Sequence, residues 1–295
     1  MAASQAPPRA QTAGYPRIHL GQVDSTNTEL ARRYQQDPTL AAFTTVTADH
    51  QHRGRGRYGR TWVDTAGSLL ASVLVRVPAA NVSWLTAVAG LAAARAVAAT
   101  YARLGEAVQL KWPNDVMVTG KKVGGILTEH LAGTDREENT VIVGIGLNFG
   151  AVSPDAGEAA GALPVDVDAV DVLTAEAEQT STGGSMTKVS PPVESLREDV
   201  LARFLTQLQS LLGQSRETWL GEYRSRLFGR ASHLQFTLPD GEVIRGRIID
   251  IDADAHLLVE TEDGLRALSV AVVEAPALGN EAPAHPDHPA HPETR

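Results

Sequence analysis

Residues 51–62 read Q-H-R-G-R-G-R-Y-G-R-T-W, and within them Gly54, Gly56 and Gly59 have the G-x-G-x-x-G spacing of a dinucleotide-binding turn. Accepting or rejecting that turn decides the fold. A doubly wound sheet demands a strand immediately before the first glycine, a helix opening at the loop, and a carboxylate about 20 residues further on. The strand-like run F-T-T-V-T-A at 43–48 stops short, leaving Asp49, His50, Gln51, His52 and Arg53 in between. Past Gly59 come Arg60-Thr61-Trp62 and then more strand-like sequence, and residues 73–79 carry no carboxylate. A dinucleotide fold is therefore rejected. What the stretch retains is chemical: glycines let a backbone approach a ligand closely and present its amides, and arginines supply donors matched to phosphate and carboxylate oxygens. Taken alone, it fits a solvated surface loop or an Arg/Gly contact to RNA equally well.

Outward from the loop, strand and helix signals alternate. A helix is expected from Ser25 to about Gln36, with Thr26 and Glu29 as a capping box and Asp37-Pro38 as its stop. L-L-A-S-V-L-V-R-V at 69–77 reads as a strand. A helix capped by Asn81 or Ser83 should then run to Leu104 and stop at Gly105. Strand signals return in V-Q-L-K-W, V-M-V, V-G-G-I-L-T-E-H-L and V-I-V-G-I-G-L-N, with Thr119-Gly120 a tight turn. Residues 150–192 lose the pattern and read as a flexible insertion, after which Leu196, Val200, Phe204, Leu208 and Leu211 recur at helical spacing. Beyond Phe228-Gly229, four short strands separated by Pro-Asp-Gly, Ala-Asp and Glu-Asp-Gly turns predict a small β domain over 229–275. The ends, 1–16 and 276–295, read as disordered, and the Pro-spaced histidines of the tail as solvated, with no metal assigned.

Composition narrows the function. The 295 residues carry a net charge of -9, against a general nucleic-acid binder. Cysteine is absent, which removes thiolate chemistry and disulfides. No uninterrupted apolar run approaches the roughly 20 residues of a membrane span, and the N-terminus lacks a signal-peptide core, so the expectation is a cytoplasmic protein without membrane contact. Against that acidic background, cations and polar residues gather at strand ends: the arginines of the loop, Lys111-Trp112-Pro113-Asn114-Asp115, Lys121-Lys122 before Gly124-Gly125, and Gly144-x-Gly146-x-Asn148.

Taken with Ser25-Thr26-Asn27 and Gln51, this ordered set closely resembles the biotin protein ligase family over residues 17 to about 275. Any one motif is common; their order is specific. The resemblance implies an α+β fold: a mixed β-sheet with flanking helices of the class II synthetase-like biotin/lipoate ligase type over 17–228, and a small SH3-like β-barrel over 229–275. With no N-terminal DNA-binding domain recognised, it resembles the monofunctional type, monomeric or homodimeric, that does not bind DNA. It implies biotin, ATP and Mg²⁺ as ligands, biotinyl-5′-AMP as intermediate, and the biotin carboxyl carrier domain of a carboxylase as partner.

Carried over by position, the resemblance makes Lys122 and Arg55 the catalytic candidates. It places biotin against Ser25, Thr26, Asn27, Gln51, Arg55, Gly56, Arg57, Trp62, Lys122 and Gly125. ATP or the adenylate would meet Arg57, Arg60, Lys111, Asn114, Asp115 and, on the adenine side, Asn148. It also implies a loop at 55–57 that orders over the ligands. Arg245 or Arg247 as a nucleotide contact is set below a solvated strand face. Two readings compete: a lipoate or octanoate ligase or transferase, for which the hydrogen-bonding set at Ser25, Thr26 and Gln51 has no explanation, and an RNA-binding module using the Arg/Gly loop.

Overall fold

The computed structural model describes residues 14–131, 138–150, 160–164, 193–230, 232–269 and 272–274. Strands β1 (Arg17–Val23), β2 (Thr45–Gln51), β3 (Leu69–Pro78), β4 (Val108–Lys111), β5 (Asp115–Val118), β6 (Lys121–His130) and β7 (Glu138–Leu147) are interleaved with helices α1 (Thr26–Gln36) and α2 (Leu85–Thr100). They form one sheet in the order β1-β2-β3-β7-β6-β5-β4. Only β1 and β2 run parallel; every other neighbouring pair is antiparallel. A doubly wound fold needs a mostly parallel sheet, so the topology excludes it and agrees with the expected mixed sheet.

Side chains alternate along a strand, and that alternation sorts the two faces. Ala71, Val73, Val75 and Val77 of β3 join Val141, Val143 and Ile145 of β7 in a core shared with α2 and with α3 (Val193–Leu212). α2 is apolar round most of its circumference, as burial of most of its surface requires, with Arg95 the one charged side chain. Leu74 and Ile142 point the other way and meet Leu30 of α1 and Val46. Each such leucine or isoleucine contributes roughly 1.5–3 kcal/mol on burial. The next residues of β7 on this second face, two and four positions on, are Gly144 and Gly146. Where Ile142 fills the space beneath α1, the glycines leave it to other side chains: Asn27 stands over Gly144 and Trp62 over Gly146.

Helix α4 (Arg216–Ser225), which no sequence signal suggested, packs Trp219 edge-on to Trp84, with ring centroids 5.6 Å apart. The chain then forms a five-stranded antiparallel sheet from β8 (His233–Thr237), β9 (Val243–Ile251), β10 (Leu257–Thr261), β11 (Gly264–Leu268) and β12 (Val272–Glu274), in the order β11-β10-β9-β8-β12. R-A-L-S-V-A-V-V-E-A, read as one strand, supplies two: β11 pairs with β10, whereas β12 pairs with β8. The small sheet is fastened to the large one by Trp84 Nε1, which donates to Ala253 O at 2.7 Å, and by Trp112 Nε1, which donates to Ala255 O at 3.2 Å.

Other expectations shift. The residue that caps α1 is Ser25, in extended conformation and without a side-chain cap; Thr26 is inside the helix and Glu29 pairs with Arg32 and Arg33, so there is no capping box. Strand β2 runs on to Gln51 because β1 supplies backbone partners as far as Val23↔Gln51, whatever the polarity of Asp49 and His50. The predicted gap before the glycine loop thus shrinks to His52 and Arg53, yet no helix of two turns opens there. α2 begins after a 3-10 turn at Ala79–Trp84 and ends at Thr100; Tyr101 closes it and buries its ring, its hydroxyl donating to Pro164 O at 2.7 Å. Ala79–Thr100 is long and apolar enough by length and composition to cross a membrane, although Asn81, Ser83 and Arg95 interrupt its apolar run, and most of it is buried inside this fold. The turn at Thr119-Gly120 is present, with φ of 48° and 78°, the primed hairpin geometry. Most of the proposed 150–192 insertion, residues 1–13 and the whole 276–295 tail lie outside the described residues.

Candidate active site

On the α1 face of the sheet lies a cavity of about 220 Å³ whose floor is Gly144 and Gly146. Among the described residues it is lined by Ser25, Thr26, Asn27, Gln51, Arg55, Gly56, Arg57, Arg60, Trp62, Lys111, Asn114, Asp115, Lys122 and Gly125, that is, every candidate from the sequence except Asn148.

The glycine loop is a tight hairpin leaving the end of β2. Gly56 N donates to Arg60 O at 2.7 Å and Trp62 N to Gly54 O at 3.0 Å. A Cβ on Gly54 would lie 2.5 Å from the Trp62 carbonyl oxygen, so that position admits only glycine. Tyr58, at φ 57°, turns the chain and is half exposed, with the Arg57 guanidinium over its ring. Trp62 then folds back into the cavity, its indole against Gly146 and 3.6 Å from where a Cβ on Gly125 would be. Its Nε1 is the one buried side-chain polar atom without a hydrogen-bond partner among the described residues.

A neutral hydrogen-bonding cluster forms where α1 begins. Thr26 donates to Gln51 Oε1 from its amide at 2.8 Å and its hydroxyl at 3.1 Å. Ser72 Oγ, fully buried in β3, lies 2.7 Å from Thr26 Oγ1 and 2.5 Å from Asn27 Oδ1. The Asn27 amide donates to Glu129 Oε2 at 2.7 Å and to Leu127 O at 3.3 Å. Gly144 is required here, because a Cβ would stand 2.3 Å from Asn27 Oδ1. Just before the helix, burial raises the Asp24 carboxyl pKa, but the Arg32 guanidinium and the Ser25 amide outweigh it and hold the group below the ordinary carboxylate range.

The charged cluster comes from β4 to β6 and the loop. Among the described residues, Arg55, Arg57, Arg60, Lys111 and Lys122 face the cavity against a single lining carboxylate, Asp115. Lys122 Nζ is 2.6 Å from Asp115 Oδ1 and 5.9 Å from the centre of the Trp62 ring, while Lys121 points to solvent. Asn114 lies in the turn between β4 and β5 and ties it to β6, its side-chain amide donating to Ile126 O at 3.0 Å. Arg55 is ion-paired with Glu129.

Asn148 is not brought into the cavity. Its side chain is buried between Ser68 Oγ, 3.1 Å away, and Gly161 O, 3.5 Å away, and ties the turn before β3 to segment 160–164. Arg245 and Arg247 face outward, against Gln235 and Glu260. Two site residues escaped the sequence reading. Ser72 had a faint signal, a lone hydroxyl in the apolar run L-L-A-S-V-L-V; Glu129 stood in the strand V-G-G-I-L-T-E-H-L with no role attached.

Two family models match the chain: the biotin/lipoate A/B protein ligase family over residues 20–148, and the biotin protein ligase C-terminal domain over residues 233–274. A biotin–[acetyl-CoA-carboxylase] ligase of Mycobacterium tuberculosis is 31% identical over 82% of this chain and 82% of its own length. A bifunctional ligase/repressor of Bacillus spizizenii is 28% identical over 86% of this chain and 71% of its own length. Among solved structures, the biotin protein ligase of Aquifex aeolicus in complex with biotin and ATP superposes with a TM-score of 0.65, at 24% identity, covering 88% of this chain and 97% of that one.

Proposed function

The chain belongs to the biotin protein ligase family, and from that membership we propose that it activates biotin with ATP to biotinyl-5′-AMP and passes the biotinyl group to a lysine of a carboxylase carrier domain. The observation that carries this reading is the division of one cavity into a neutral hydrogen-bonding cluster at Ser25, Thr26, Asn27 and Gln51, a Trp62 wall, and five cations against one carboxylate.

Each part matches a part of the reaction. The ureido ring of biotin is polar and uncharged, and suits hydroxyl, amide and backbone partners. The thiophane ring and valeryl chain suit the Trp62 face and the glycine floor, where no Cβ intrudes. At the far end of the acid, a carboxylate must meet an α-phosphate. Two unit charges about 4 Å apart repel by roughly 4 kcal/mol at a dielectric constant of about 20, so fixed positive charge is the first requirement of catalysis. Lys122 and Arg55 supply it at the carboxylate; Arg57, Arg60 and Lys111 supply it along the phosphates. The carboxylate oxygen attacks the α-phosphorus and pyrophosphate leaves. In the second half-reaction the acceptor amine attacks the carbonyl carbon, AMP leaves with the bridging oxygen, and the nitrogen loses a proton. Closing the basic hairpin over the mixed anhydride excludes water between the two steps.

Mg²⁺ commonly takes one or two carboxylates together with substrate phosphates, and Asp115 is a donor of that kind, beside Lys122. Bound there, the ion would offset the phosphate charge; Asn114 shapes the turn that presents Asp115. Asn148 would act on the adenine side through the segment it anchors. A cytoplasmic location and a carboxylase carrier as partner belong to the same reading.

Lipoate or octanoate is the alternative acid, since the matched family includes both types. An alkyl chain would leave the cluster at Thr26, Ser72 and Gln51 without a polar ligand, which favours biotin. ATP–pyrophosphate exchange, measured with biotin, lipoate and octanoate in turn, tests the choice. Exchange with biotin alone is expected; exchange only with lipoate or octanoate would overturn the assignment.

A further inference from the structure

We propose that Glu129, which none of the catalytic assignments uses, is a positioning residue that couples the hydrogen-bonding floor of the cavity to the basic hairpin. Its two carboxylate oxygens have separate partners: Oε1 takes Arg55 of the hairpin, Oε2 takes the Asn27 amide at 2.7 Å. Asn27 is only 3% exposed, and its remaining contacts are Ser72 Oγ and Leu127 O. Its orientation therefore depends on Glu129, and through Ser72 so does the Thr26–Gln51 pair. An unbroken chain of side-chain contacts runs Arg55–Glu129–Asn27–Ser72–Thr26–Gln51, from the solvent side of the loop through fully buried Ser72 and back to the end of β2.

The sheet explains why Glu129 occupies this place. Strand β5 pairs with β6 only as far as Asp115↔Gly125, so the last residues of β6 have no neighbour on that side. The hairpin stands opposite that edge across open space: His52 to Thr61 and Leu127 to Glu129 line the two sides of one cleft, and Arg55 reaches across it to Glu129. Glu129 is the carboxylate of that cleft, and it neutralises an arginine that also faces the cavity. An anionic ligand entering the cavity must share Arg55 with Glu129, while the same carboxylate holds the floor that reads the neutral end of that ligand. Floor geometry and hairpin position thus change together. The ligand half of this proposal rests on the biotin reading; the hairpin half does not.

The two halves are read separately. In the ligand-free protein, trypsin cleavage after Arg57 and Arg60, followed by mass spectrometry, reports hairpin order. E129Q keeps an acceptor for Asn27 but loses the ion pair, and should raise the cleavage rate about twofold to fivefold, the range of a half-exposed pair. In an R55Q background the same substitution should add nothing; full additivity, or no change in E129Q, would overturn the coupling. By calorimetry E129A should weaken biotin binding more than E129Q does, because only alanine leaves the Asn27 amide without its acceptor. Equal losses in the two variants would show that Glu129 does not position the floor. Coupled cleavage in a protein that fails to bind biotin would demonstrate the latch and sink the ligand assignment alone.

Discussion

Gly146→Ala isolates the steric fit of the cavity wall. The new Cβ would lie 2.8 Å from Trp62 Cε2 and Cζ2 and 3.2 Å from its Nε1, closer than packed carbons approach. Gly146 lies in extended β7, outside the left-handed region, so alanine costs nothing in backbone strain and recovers about 0.5–1 kcal/mol of chain entropy. Overpacking of this kind costs about 1–3 kcal/mol. In the free protein the indole relieves it by swinging into the open cavity, so the fold should change in stability by no more than about 1 kcal/mol, since the entropy gain offsets what strain is left. A ligand must push the ring back and restore the clash. The cost then falls on binding, a loss of about 5- to 150-fold in biotin affinity at about 1.4 kcal/mol per factor of ten. Calorimetric titration with biotin and thermal denaturation of the same preparation measure both quantities. Wild-type affinity with a wild-type melting temperature would show that Trp62 does not form this wall.

Other substitutions separate charge from architecture. Lys122→Ala should reduce pyrophosphate exchange by at least about 100-fold, the scale of losing one preorganised donor to a developing charge, with the fold intact by circular dichroism; near-normal exchange would assign the role to another cation. Arg55→Gly should speed escape of the acyl adenylate into solution, measured by its dissociation rate, and unchanged retention would remove the shielding role. Away from the site, Glu222 joins Arg95 of α2 to Arg226, at 2.6 Å and 3.1 Å. Burial raises its pKa, but the two guanidinium groups outweigh that and hold it below its ordinary 4.5. Its contribution is thus complete above the unfolded-state value and disappears as pH falls through the lower folded-state value. Glu222→Gln should cost about 1–2 kcal/mol at pH 7 and progressively less in denaturation below about pH 4.

The large sheet was legible because its central strands are largely apolar: L-L-A-S-V-L-V and V-I-V-G-I-G-L are buried on both faces, and such runs admit little else. Element ends were less legible where a partner overrides local preference. Polar Asp49 and His50 extend β2 because β1 runs beside them, and Tyr101 ends α2 early because its ring belongs in the core. Helix α4 has only Trp219 and Tyr223 buried, too sparse a stripe to stand out in sequence. At the site, the family resemblance pointed to every cavity residue that carries charge, including Lys122 over its neighbour Lys121, which spacing alone did not separate. It did not distinguish Asn148, which holds the scaffold together, from a lining residue, and it passed over Ser72 and Glu129. Both act through partners more than 40 residues distant, a relation that local pattern does not contain.

A crystal structure of the protein with biotin and ATP, or with a non-hydrolysable biotinyl adenylate, tests the division of the cavity directly. The ureido ring should lie against Ser25, Thr26 and Gln51, the fused ring against Trp62 above Gly144 and Gly146, and the carboxylate within hydrogen-bonding reach of Lys122. A ligand bound in the reverse sense, with its carboxylate at Thr26 and Gln51 and Lys122 still paired only with Asp115, would contradict that assignment.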